Sequence, residues 1–151
     1  MNRLFSIFLL AGLLIAGQVH AEKVMMARSY LSFEVTLEAV KKALESRGYT
    51  VAHEQRCDGG LKGFGYETDL YRVIFFGKPD EVRLWSNAHP EMIPYLPLKL
   101  AVIAEADQVL VVGFNPEELA ELFTDKKLKI QFSRWKNDIE SVMVEVSQSS
   151  S

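Results

Sequence analysis

The sequence predicts an α+β fold: a single domain in which helices cover one face of a mostly antiparallel sheet, in the order β-α-β-β-β-β-β-α-α. Short segments of alternating polarity dominate the middle of the chain, and helical spacing returns near its end. The 151 residues are 48% hydrophobic and 25% charged, which is typical of one globular core. A net charge of −3 excludes a strongly basic nucleic-acid-binding protein.

Residues 1–21 are predicted to be a cleaved signal peptide. Arg3 precedes an apolar run that only Ser6 interrupts, and Ala21 fits the site of a signal peptidase. The run of about 14 residues is shorter than the roughly 20 needed to cross a bilayer. We therefore expect export to the periplasm, a single domain over residues 22–146, a disordered polar tail over residues 147–151, and no membrane attachment after cleavage.

The first half of this domain is predicted to contain strands over residues 24–33 and 49–55. Between them, Thr36 is a plausible N-cap of a helix that ends at Gly48. Residues 59–65 contain four of the nine glycines and should turn or bend freely.

The second half begins with an apolar strand over residues 70–77, followed by a shorter strand over residues 81–86 with Val82 and Leu84 pointing inward. Residues 87–97 contain three prolines, which predicts an ordered loop without regular structure. Residues 98–105 and 109–114 then alternate as an antiparallel hairpin.

Two helices are predicted to complete the domain. Asn115 is a plausible N-cap, and Pro116 occupies the first helical position, where its missing N–H is harmless. The last helix has an apolar stripe that should cover the sheet. Its members are Leu128, Phe132, Trp135, Ile139, Val142 and Val146.

Several segments together resemble the bacterial domain of unknown function 302 family. They are Gly48-Tyr49, residues 71–77 (YRVIFFG) with Pro79, residues 96–99 (LPLK), and Asn115-Pro116. The resemblance runs from about residue 25 to residue 144 and implies a small α+β domain without implying a particular reaction. One departure is Asp107-Gln108, where the family pattern suggests an acidic residue followed by glycine, so the hairpin turn is expected to be of a different type.

Cys57 is the only cysteine, which excludes an internal disulfide and CxxC chemistry. A thiolate between a strand and the glycine-rich segment could bind a metal or haem, or exchange with a disulfide. The neighbouring Asp58 disfavours the thiolate, and free cysteines are most often buried, so we expect burial.

Four residues are candidate metal ligands: His53, Cys57, His89 and Glu91. If His53 and Cys57 lie on one strand, they are roughly 13 Å apart and one metal cannot bind both directly. The alternative for His89 is an exposed loop histidine.

Arg72 and Lys99 lie in otherwise apolar strands, where an unpaired charge is costly to bury. Either residue could bind an anionic ligand, or reach solvent while its aliphatic stem packs on the sheet. The candidate ligand-binding residues are therefore Cys57, Arg72, His89, Glu91 and Lys99.

Two functions remain open. The preferred interpretation is a binding or accessory protein that holds a small ligand or cofactor in a cleft between the helices and the sheet, bordered by residues 59–65 and 87–97. The alternative is a thiol- or metal-dependent redox protein or enzyme that uses Cys57. No nucleotide-binding loop or hydrolase motif is present, so no catalytic residue or specific cofactor is assigned. The possible partners are a small molecule and a second copy of the chain.

Overall fold

A computed structural model describes residues 23–65 and 70–149 and shows a single α+β domain. Its strands are β1 (Val24–Ser29), β2 (Thr50–Arg56), β3 (Tyr71–Gly77), β4 (Leu98–Glu105) and β5 (Gln108–Phe114). Its helices are α1 (Phe33–Ser46), α2 (Asp58–Lys62), α3 (Pro79–Ala88) and α4 (Lys126–Gln148), with 3-10 helices at Pro90–Tyr95 and Pro116–Glu121.

The five strands form one antiparallel sheet in the order β1-β5-β4-β3-β2. The β4–β5 hairpin occupies the middle, and β1 returns to pair with β5, so that Val24 lies opposite Phe114. The predicted mostly antiparallel sheet is therefore confirmed.

One face of the sheet and the apolar sides of α1 and α4 form the core. Ile74, Leu100 and Val111 on this face are fully buried. Every member of the stripe predicted for the last helix is buried, because side chains three and four residues apart lie on the same side of a helix. We call this side of the sheet the covered face.

The predicted strand over residues 81–86 is wrong, since this segment lies in α3. Pro79 starts the helix, and Asp80 and Glu81 lie in its first turn, where negative charge is favourable. Trp85 is buried, whereas Leu84, predicted to point inward, is 57% exposed. The local helix-start signals outweigh the short alternating pattern.

The first predicted strand is also too long. In the structure, β1 ends at Ser29 and α1 begins at Phe33. Ser32, rather than Thr36, occupies the N-cap position of this helix. The Thr36 hydroxyl instead donates a hydrogen bond to Ser29 Oγ at 3.0 Å inside the core. Thr36 therefore ties the start of the helix to the end of the strand.

The connecting segments are more regular than the sequence predicts. The glycine-rich segment begins with the short helix α2 and turns at Gly65, whose φ is +79°. Residues 90–95 form a 3-10 helix, because Pro90 stands at its start, where no N–H is needed. A two-residue turn closes the β4–β5 hairpin, with Ala106 at φ 41°.

The helix predicted after Asn115 is a 3-10 helix. Asn115 is its N-cap, and the Asn115 side-chain oxygen accepts a hydrogen bond from the Glu117 N–H at 3.0 Å. Helix α4 continues to Gln148, two residues into the tail predicted to be disordered.

The predicted signal peptide lies outside the described residues. Within residues 23–65 and 70–149, no helix is long and apolar enough to span a membrane.

Candidate functional site

The second face of the sheet is apolar and partly exposed. Side chains alternate between the two faces of a strand, and on this face Met26 and Phe114 are 52% and 49% exposed. Its apolar members are Val24, Met26, Tyr71, Val73, Phe75, Ala101, Ile103, Leu110, Val112 and Phe114. We call this surface the open face. Contiguous apolar surfaces of this kind mark binding or interaction sites.

A groove of about 480 Å³ lies where the open face meets the ends of β4 and β5. Tyr95 forms part of its wall, and Leu119 and Ile139 line it from the 3-10 helix after β5 and from α4. Among the described residues that line this groove, Lys99 is the one with a charged side chain. The groove can therefore exclude water from a mainly apolar molecule.

Lys99 already has partners within the protein. Its ammonium nitrogen lies 3.4 Å from the carbonyl oxygen of Pro94 and 5.8 Å from the centre of the Phe75 ring. The side chain is thus held across the open face, with its charge at the border of the groove.

Cys57 and His53 lie at the β2 edge of the open face. The His53 ring is 5.9 Å from the ring of Phe75, and the Cys57 backbone N–H donates to the Tyr71 carbonyl at 3.0 Å. Cys57 is only partly buried, in contrast to the predicted burial, because the end of an edge strand has neighbours on one side. Burial and the nearby Cys57 raise the pKa of Tyr71.

Arg72 points to the covered face and is 8% exposed. Its guanidinium lies 3.0 Å from Asp58 Oδ1 and 3.7 Å from Glu54 Oε1, and stacks 5.6 Å from the centre of the Phe33 ring. A hydrogen bond from Arg56, together with the charge of Arg72, holds the pKa of Asp58 below its usual value. Arg72 therefore binds carboxylates of its own chain and ties α2 to the sheet.

His89 joins two helices. Its Nε2 is 3.1 Å from Asp125 Oδ2, and its Nδ1 is 3.3 Å from Glu91 Oε1. The hydrogen bond with Asp125 is the main cause that raises the pKa of His89, and Glu91 adds to it. Asp125 also accepts bonds from the backbone N–H groups of Lys127 and Leu128, so it caps α4.

The four candidate metal ligands do not meet. His53 and Cys57 lie on the open face, while His89 and Glu91 lie at the start of the 3-10 helix after α3. The two carboxylates beside His89 bind opposite ring nitrogens and cannot converge on one ion. In the described part of the chain, no group of three or more His, Cys, Asp or Glu residues could hold a metal ion.

Comparison with known proteins agrees with this architecture. Residues 25–146 match the family described as "Domain of unknown function DUF302". The chain belongs to the DUF302 family. A solved structure with the same fold is the "Crystal structure of uncharacterized conserved protein DUF302 from Bacillus stearothermophilus", with a TM-score of 0.73 and 17% sequence identity. The match covers 83% of this chain and 99% of that chain. No curated protein matches the sequence.

The groove of this DUF302 domain matches in part the cleft expected between helices and sheet, since Tyr95, within the expected border at residues 87–97, lines it. Core side chains such as Leu100 and Val102 are fully buried there, and the groove lies at the end of the sheet, where it is lined both by Ile139 of α4 and by Ala101 of the open face. Lys99 is the one residue among the five candidate binding residues that lines the groove. Tyr95 and Phe114 were missed, although the apolar residues on both faces of β3 are a signal that both faces are partly shielded from water.

Proposed function

We propose that this DUF302 domain is an exported binding or accessory protein that holds a small, mainly apolar molecule in the groove beside Tyr95. The observation that carries the proposal is a groove of about 480 Å³ in which Lys99 is the single charged side chain among the described lining residues. Small-molecule sites commonly have volumes of 300–1,000 Å³ and predominantly apolar walls, roughly as found here.

The chemistry of the groove favours an uncharged, partly aromatic or aliphatic ligand. Tyr95 and Phe114 offer ring surfaces, and Leu98 and Leu119 offer aliphatic ones. The ammonium of Lys99 is engaged by a backbone carbonyl, so an anionic group is not required to balance it. Burial of the apolar surface of the ligand then supplies most of the binding free energy.

Fluorescence titration with N-phenyl-1-naphthylamine, a neutral apolar dye, tests this proposal. Replacing Tyr95 by Ala removes one wall of the groove and should weaken dye binding about five- to tenfold, which corresponds to roughly 1 kcal/mol of apolar contact. Ile93→Ala is the matched control, because Ile93 is exposed in the same 3-10 helix but does not line the groove.

Three results would contradict the proposal: no saturable binding by the parent protein, unchanged affinity in Tyr95→Ala, or an equal loss in both variants. Cys57→Ser separates the proposal from a function that depends on the thiol. Cys57 does not line the groove, so this variant should bind the dye as the parent does.

A further inference from the structure

We infer that a second copy of this chain covers the open face, with the two sheets stacked about a two-fold axis that crosses the strands at the level of Val102. This inference does not rest on the proposed ligand, although the stacked copy would close over the groove, which Val73, Ala101 and Val112 also line. It rests on the size of the open face and on the positions of two opposite charges along β4.

The open face is large enough for a specific interface. Strands spaced about 4.8 Å apart and about 20 Å long give five strands a face of roughly 24 Å by 20 Å. The relief of the side chains adds to this footprint, so two such faces bury about 1,000 Å² or more, the lower limit for a specific protein interface. A lone small ligand would leave most of this area in water.

The composition of the face also resembles a protein interface, whose centre is apolar and whose rim is polar. Val73, Ala101 and Val112 lie next to one another at its centre. His53 and Gln55 lie on the edge strand β2, and Arg28 lies on the edge strand β1. A partner of the same composition would therefore match centre to centre and rim to rim.

The charges on β4 select the direction of stacking. Lys99 and Glu105 lie on the open face, about 20 Å apart at opposite ends of the strand. An axis that crosses the strands at Val102 places each Lys99 opposite the Glu105 of the other copy. An axis parallel to the strands through β4 would instead place Lys99 opposite Lys99, which is repulsive.

The same axis gives complementary contacts at the centre. It places Ala101 opposite the Ile103 of the other copy, so that a small side chain faces a large one. Stacked sheets lie about 10 Å apart, a distance that a lysine and a glutamate can bridge together. Glu105 already lies 3.6 Å from Arg28 within its own chain, so the contact would extend an existing ion pair.

Analytical ultracentrifugation of the exported chain tests the inference. The parent protein should be a dimer at about 50 µM. Ile103→Glu, which places a charge at the centre of the open face, should give a folded monomer. Val144→Glu is the matched control, since Val144 is an exposed apolar residue on α4 and should leave the dimer intact.

Exchanging the charges of Lys99 and Glu105 tests the position of the two-fold axis. Lys99→Glu and Glu105→Lys should each weaken the dimer about tenfold or more, and the double variant should return to within about threefold of the parent, because opposite charges again face each other. Circular dichroism would show that each variant is folded. A monomeric parent, a dimer that survives Ile103→Glu, or a double variant no better than the single ones would overturn the inference.

Discussion

Arg72 shows how the environment of one residue decides its role. A buried guanidinium is tolerated only when it is paired and hydrogen-bonded. Asp58 and Glu54 supply that pairing, and the ring of Phe33 covers one side of the group. The charge is therefore used to join β2, α2 and β3.

His89 makes the stability of the fold depend on pH. The pKa of His89 is raised in the folded state, chiefly by the hydrogen bond with Asp125. The contribution of His89 to the free energy of unfolding is therefore complete below the unfolded-state pKa of about 6.5, and it is lost as the pH rises through the folded-state pKa. The pKa of Asp125 is lowered, so its contribution is lost as the pH falls through that lowered value. We expect the stability advantage of the parent over His89→Gln to be larger at about pH 5.5 than at about pH 8.5, as measured by denaturant unfolding.

An NMR titration of the imidazole provides the control. Asp125→Asn keeps an oxygen that can cap α4 but removes the charge. The pKa of His89 should therefore lie above about 6.5 in the parent and fall in this variant. A pKa that is equal in both proteins would show that Asp125 does not hold the protonated ring.

At the scale of elements, α4 supplies the largest single contribution to the core. Trp135 is 2% exposed, and its indole N–H donates to Glu81 Oε2 at 3.1 Å, which links α4 to α3. Trp135→Ala should lower the free energy of unfolding by about 3–5 kcal/mol, because it leaves a large cavity. Chemical denaturation would measure this loss.

Ile130→Ala is the matched control on the same helix. Ile130 is 71% exposed, so its truncation should change the free energy of unfolding by no more than about 0.5 kcal/mol. Equal effects of the two substitutions would mean that the apolar stripe of α4 does not carry the packing of the sheet.

The whole molecule has a two-layer design with unequal faces. Helices α1 and α4 bury one face of the sheet, and the other face keeps apolar side chains at its surface. The open face, roughly 24 Å by 20 Å, is comparable to the largest apolar patch on a typical monomeric protein, and such patches are often functional. The proposed ligand site and the proposed stacking of two copies both follow from this one asymmetry.

Export is the prediction that concerns the chain as a whole. We expect the periplasmic form to begin at Glu22, because the apolar run before it is too short to remain as an anchor. N-terminal sequencing of protein from a periplasmic fraction would measure this. A chain that still starts at Met1 and sediments with membranes would contradict the prediction.

Local patterns in the sequence were sufficient for much of the fold. The β4–β5 hairpin, the strand β3 and the stripe of α4 follow from alternation and helical spacing, which depend on neighbouring residues alone. The strand predicted over residues 81–86 was wrong because two periodicities compete in so short a segment. There, the helix-start residues Pro79 and Asp80 carry the stronger signal.

What the sequence determined by itself is therefore the α+β class, the family, and the residues that are apolar along each strand. Only the tertiary structure decided that Arg72 is paired within the chain, that His89 meets Asp125 across 36 residues, and that Tyr95 and Lys99 border one groove. These contacts join segments far apart in the chain. Periodicity records which side of a strand is apolar, but the order of the strands and the placement of the helices decide which apolar side remains open.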